Sequence, residues 1–120
     1  MAADPPSVEQ IPSRSCTDLF AALSNRRRQR VVRAVSTRGT LSVSRLAALV
    51  GASERSTPVE DLSAEFVERI RLSLVHAHLP KLEDVDVVVY DPASLEVDVG
   101  SRFDRIDSIL DAALGETLDG

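Results

Sequence analysis

Apolar residues along this chain recur at helical spacing in its first two thirds and at alternating spacing near residue 90. Val31, Val32 and Val35, with Leu23 one turn earlier, form one stripe, so a helix is predicted from Arg26 to Thr37. Ser24-Asn25 supplies its N-cap and Gly39 its C-cap. Thr40 to Val43 is a short β-prone link. Ser42 or Ser44 caps a second helix, Val43 to about Val50, with Val43, Leu46, Ala47 and Val50 on its core side and Gly51 closing it. Residues 52–61 are polar, contain Pro58, and make a long connection. A third helix follows from Ser63 to His78, with Asp61 or Ser63 as N-cap. Turned at about 100° per residue, it has a wide apolar arc holding Phe66, Val67, Ile70, Leu72, Leu74, Val75 and Leu79. A narrow polar edge is left with Glu65, Arg69, Ser73 and His76. Pro80 breaks or kinks this helix, and Lys81 to Asp84 can add one more turn.

From Val85 the spacing changes. Val87 to Tyr90 is a β-branched and aromatic run. Asp91-Pro92-Ala93-Ser94 suits a type I turn. Leu95, Val97 and Val99 then alternate with Glu96 and Asp98, which predicts a hairpin with one core face and one acidic face. A last helix, residues 101–115, repeats Phe103, Ile106, Leu110 and Leu114 every three or four positions. At the other end, Pro5, Pro6 and Pro12 mark residues 1–15 as a disordered leader. Thr17 or Asp18 caps a short helical turn bearing Leu19, Phe20 and Leu23. Helices followed by a β-hairpin are the order of a winged helix-turn-helix. The expected class is α+β, mostly α, with residues 16–100 as the domain, a two-stranded wing and an additional C-terminal helix.

Specific stretches carry a resemblance. Leu23 to Val32, read as Leu-Ser-Asn-Arg-Arg-Arg-Gln-Arg-Val-Val, is similar to the opening helix of ArsR-type winged-helix transcriptional regulators. Leu41 to Ala47 resembles the first helix of their helix-turn-helix. His78 to Asp84 followed by Val87 to Asp91 resembles the end of the recognition helix and its entry to the wing. With Pro80 inside that block, the sequence is most similar to an uncharacterised winged-helix family of haloarchaea. Asp86 departs from the pattern, standing where such domains usually have a small residue, often Gly. The resemblance implies a DNA-binding transcriptional regulator whose recognition helix spans about 63–79.

Charge sharpens this expectation. Residues 1–58 hold nine Arg and four acidic residues, whereas residues 59–120 hold five basic and fifteen acidic residues, within a net charge of -5. Lys81 is the single lysine among fourteen Lys and Arg, a composition expected of a protein working in concentrated salt. By analogy with the family, Arg69, Ser73 and His76 would face the major groove, which is about 12 Å wide. Arg26, Arg27 and Arg30, with Arg45 and Lys81, are candidates for phosphate contacts. Pairing of the Arg26–Arg33 cluster with the acidic C-terminal half is the competing expectation. The acidic, lysine-free wing places any DNA contact on the helices and leaves a protein-interaction module as the alternative function.

Phe103, Ile106, Leu110 and Leu114 form a candidate dimerisation stripe, so a homodimer is expected beside the double-stranded DNA partner; a helix folded back on its own domain is the alternative. Cys16 stands alone, which excludes an internal disulfide and a thiolate zinc site. His76 and His78, two apart, point to different sides of a helix, and His78 is expected to be a hydrogen-bonded core residue. No catalytic motif, metal site or cofactor is expected. No apolar run approaches the roughly 20 residues of a membrane span, so the cytoplasm is the expected compartment.

Overall fold

The computed structural model describes residues 18–103. After helical residues 18–23 come α1 (Arg26–Arg38), β1 (Leu41–Ser42), α2 (Val43–Arg55), a 3-10 turn (Val59–Asp61) and α3 (Ala64–Ser73). A π-helical turn (Leu74–His78) leads into α4 (Leu79–Asp84), then β2 (Val88–Asp91) and β3 (Glu96–Val99). The result is a mostly helical α+β domain of winged-helix type. Each long helix starts at a side-chain cap that satisfies an otherwise orphaned backbone N–H. Asn25 accepts from the Arg28 N–H at 3.0 Å, Ser42 from that of Arg45 at 3.1 Å, and Ser63 from that of Phe66 at 3.1 Å.

The third helix departs from uniform rotation. Pro80 has no N–H to give to the carbonyl four residues back, and its ring would collide there. The turn just before it widens, so that the Leu79 N–H reaches the Leu74 carbonyl, five residues away. This inserts one extra residue into the apolar repeat. Phe66, Ile70 and Leu74 follow at intervals of four, the next interval is five to Leu79, and Leu82 comes one turn on; all five are buried. The stripe is therefore continuous, with Val67 and Val75 packed partly buried beside it, and the wide arc expected from the sequence needs correction only at Leu72. Leu72, assigned to that arc, is 41% exposed.

The second helix also runs further than its sequence suggests. Gly51 does not end it. The helix continues to Arg55 and is closed by Ser56 in the left-handed region at φ 50. Gly51 is instead the point where α2 crosses α3. A Cβ there would lie 2.9 Å from Phe66 Cε2 and 3.4 Å from Leu62 Cδ1. The connection to α3 correspondingly shortens, with the turn Val59–Asp61 inside it.

The wing contains a third strand. The β-prone link at Leu41–Ser42 pairs antiparallel with β3, Leu41 opposite Val97 and Ser42 opposite Glu96, so the sheet order is β1-β3-β2. Tyr90 pairs with Val97 and Val88 with Val99. On the free edge of β2, the Tyr90 N–H donates to Glu83 of α4 at 2.9 Å, which blocks further strand pairing there. Only Val97 of the expected β3 core face is buried. Leu95 belongs to the turn, at φ 61 and 49% exposed, and Val99 is 41% exposed. Asp86 has φ 64, in the left-handed region that favours glycine. Gly100 crosses this turn so closely that a Cβ would stand 2.3 Å from the Asp86 carbonyl oxygen.

Two substitutions test these backbone readings. Gly51→Ala is expected to cost about 1–3 kcal/mol through overpacking at the crossing. Asp86→Gly should be neutral to stabilising by about 0.5 kcal/mol, as relief of the left-handed strain outweighs the added chain entropy. Urea unfolding measures both, and an unaffected Gly51→Ala variant would remove the close crossing.

Candidate nucleic-acid interface

The arginine run of α1 divides by direction. Arg27 turns toward the other helices. Its guanidinium grips Glu54 of α2 in a bidentate pair, with Nη2 2.7 Å from Oε1, and its Nη1 donates to the Ser73 hydroxyl of α3 at 3.1 Å. One side chain thus ties α1, α2 and α3 together. The Glu54 carboxyl is held below its ordinary range, first by the hydrogen bonds from Arg27 and against the opposing effect of burial. The carboxylate that answers Arg27 comes from α2, within the basic front half of the chain.

Arg28 goes deeper. It belongs to the Arg26–Arg33 cluster but lies on the same helical stripe as Val31, Val32 and Val35 and is only 9% exposed. Its Nε donates to the Ala22 carbonyl, and its Nη1 lies 3.2 Å from His78 Nδ1. A guanidinium only donates, so His78 Nδ1 accepts and its proton sits on Nε2. His78 is half-buried and hydrogen-bonded, and its pKa is lowered by burial first and by the charges of Arg28 and Arg27 next.

The remaining cations face outward. Arg30 donates to Ser53 of α2 at 3.0 Å. Arg26, Arg30 and Arg33 line a groove between α1 and α2. Arg45 is exposed in the first turn of α2, which holds no acidic residue. On α3, Arg69 is exposed beside Glu65, whereas Ser73, one turn later on the same edge, is half-buried under Arg27. His76 is exposed on the π turn and Lys81 on α4. Arg71 closes an ion pair with Glu68, three residues earlier on α3, at 2.6 Å. The expected reading edge is therefore brought to the surface at Arg69 and His76 but is tied to α1 at Ser73.

Sequence reasoning missed Arg55, whose guanidinium stacks 3.7 Å over the Phe66 ring and covers the helix crossing. It also missed Glu54 as the hub carboxylate. The signal for Glu54 was its isolation as the only acidic residue between Asp18 and Glu60. Phe103 packs partly buried against the domain's core. Ile106, Leu110 and Leu114 lie outside the described residues, as do the leader and Cys16. Among the described residues, no helix is long and apolar enough to cross a membrane, and no three His, Cys, Asp or Glu side chains group as metal ligands.

Helices, three-stranded wing and capped long helix define the class: a winged-helix domain with an arginine face on one side and an acidic wing on the other. Residues 20–98 match the domain of unknown function DUF7344, and the chain belongs to that family. No curated protein and no solved structure matches the chain.

Burial of His78, with Arg28 and Arg27 beside it, sets a pH dependence. Because His78 is harder to protonate folded than unfolded, the unfolded chain holds more protons in the window below the ordinary value of 6.5. Its contribution to stability is complete above that pH and is lost as pH falls toward the depressed value. Urea midpoints of the parent should decline from about pH 6.5 downward, whereas His78→Asn should stay flat until carboxylates such as Glu54 titrate. Parallel pH profiles for the two proteins would rule out this account.

Proposed function

We propose that this domain is a DNA-binding transcriptional regulator that docks through its helices and not through its wing. The observation that carries this reading is the bond from Arg27 to Ser73. It joins α1 to the edge of α3 that carries Arg69 one turn earlier. Base-reading and phosphate-positioning groups need such a connection, because phosphate contacts fix the register in which base edges are read. Arg69 and His76 approach the major groove, while Arg26, Arg30 and Lys81 meet phosphate. Arg45 adds a cation at the positive end of the α2 dipole. Glu54 neutralises Arg27 and holds it as the joint of this surface. Pairing of two copies would set two such helices about 34 Å apart for successive half-sites. We place this activity in the cytoplasm.

One observation favours a protein partner as the second reading. Val89, Leu95 and Val99 are exposed on a wing whose other outward residues include Asp91, Glu96 and Asp98. Such a surface repels phosphate and can meet an apolar, basic protein face.

Genome-wide footprinting of the tagged protein, followed by anisotropy titration on a recovered site, tests the DNA reading. Arg69→Ala should weaken binding by about 1–3 kcal/mol. Recovery of no site would overturn the DNA reading, and a recovered site insensitive to Arg69→Ala would move the reading stripe elsewhere.

A further inference from the structure

Of the large apolar side chains on α3, the π turn and α4, Leu72 alone is exposed among the described residues. The core stripe fixes its direction. It stands two residues from both Ile70 and Leu74, which are buried. At about 100° per residue, a step of two turns a side chain to the far side of the helix. Leu72 therefore faces outward, with exposed Arg69 one turn before it and exposed His76 one turn after it on the same side. A single exposed leucine is ordinary on a protein surface; its neighbours are what give this one a role.

The charges around Leu72 are arranged. Glu68, one turn earlier on the outward side, is held in a forked pair by Arg71, with Nε 3.0 Å from Oε1 and Nη2 2.6 Å from Oε2. A carboxylate that would otherwise repel a phosphate backbone beside Leu72 is neutralised where it stands. Glu65 lies further back, in the first turn of the helix. The middle of the outward edge thus presents an apolar side chain between a guanidinium and an imidazole.

This combination matches the floor of the major groove. An arginine there donates to guanine O6 and N7, and the apolar group on offer is the methyl of thymine. Set against any other base edge, Leu72 would cover a polar atom without pairing it. The helix rises about 1.5 Å per residue, which places Leu72 about 4.5 Å beyond Arg69 along the axis. Bases on one strand are spaced about 3.4 Å apart, so the two side chains address base pairs one or two steps apart.

We propose that Leu72 is a specificity-determining residue of the DNA edge, packing on the methyl group of a thymine one or two base pairs from the base that Arg69 reads. The inference rests on the DNA reading and adds to it a base identity that the polar side chains of the edge do not supply.

Anisotropy titration of the full chain on a footprinted site tests it, with each thymine replaced in turn by deoxyuridine. Uracil keeps every hydrogen-bonding atom and removes the methyl alone, so this arm requires no altered protein. One replacement, within two base pairs of the position whose specificity Arg69→Ala relaxes, should weaken binding about fourfold, the effect of one buried methyl group. Leu72→Ala should bind the thymine and uracil forms of that site equally, whereas Leu72→Met should retain the preference. Loss at no thymine, or the same loss in Leu72→Ala, would overturn the proposal and leave the DNA reading in place. Failure to bind any duplex would remove both. Sedimentation of the free chain supplies the remaining outcome. Self-association that Leu72→Ala abolishes, with affinity for the site unchanged, would give this edge to a protein partner and overturn the proposal.

Discussion

The extra residue in the turn Leu74–His78 governs how the rest of the molecule is assembled. A regular helix through this region would put His78 where the buried stripe needs an apolar side chain. Pro80 makes the wider turn cheap, because the N–H that a regular helix would use at that position does not exist. Leu79 and Leu82 then line up behind Phe66, Ile70 and Leu74 and complete the core beneath the wing. The same shift delivers His78 to Arg28, so that a guanidinium buried among valines has an acceptor from the long helix as well as the Ala22 carbonyl. Without that acceptor, a buried charge on α1 would carry an uncompensated desolvation penalty.

The legible parts of the fold were those decided locally. Asn25, Ser42 and Ser63 announce helix starts because a cap needs only a short polar side chain at the right offset. The valine stripe of α1 and the core positions of α2 follow from helical spacing alone. The illegible parts were decided by contacts between elements. Gly51 reads as a helix stop in isolation, yet it is the residue that lets α2 and α3 touch, a fact that depends on Phe66 and Leu62 fifteen and eleven positions away. The π turn was hidden because projection at a constant angle spreads a shifted stripe into a broad arc. Leu72 then looked no different from Leu74. Leu95 looked like a strand residue because alternation continues into the turn, where the Asp91 carboxylate receives the Ala93 N–H and the chain reverses.

For the candidate site, residue type was legible and direction was not. Five arginines close together in sequence suggest one surface, but a helix distributes neighbours around its circumference. Arg28 follows the valines inward, Arg27 points sideways at two other helices, and Arg26, Arg30 and Arg33 share the outer groove. The run thus performs three tasks: it supports the core, it joins three helices, and it presents positive charge. Composition suggests only the last of these.

The separation of charge across the domain gives the arginine face its significance. Long-range attraction contributes little in concentrated salt, where the screening length falls to about 3 Å at 1 M. Under those conditions an arginine acts only on what it touches, through forked hydrogen bonds and stacking. A loose scatter of cations would then be nearly inert, while a guanidinium held by directional partners, as Arg27 is by Glu54 and Ser73, keeps its effect. The acidic wing fits the same logic from the other side. Its carboxylates Asp91, Glu96 and Asp98 are exposed, and that surface repels anions.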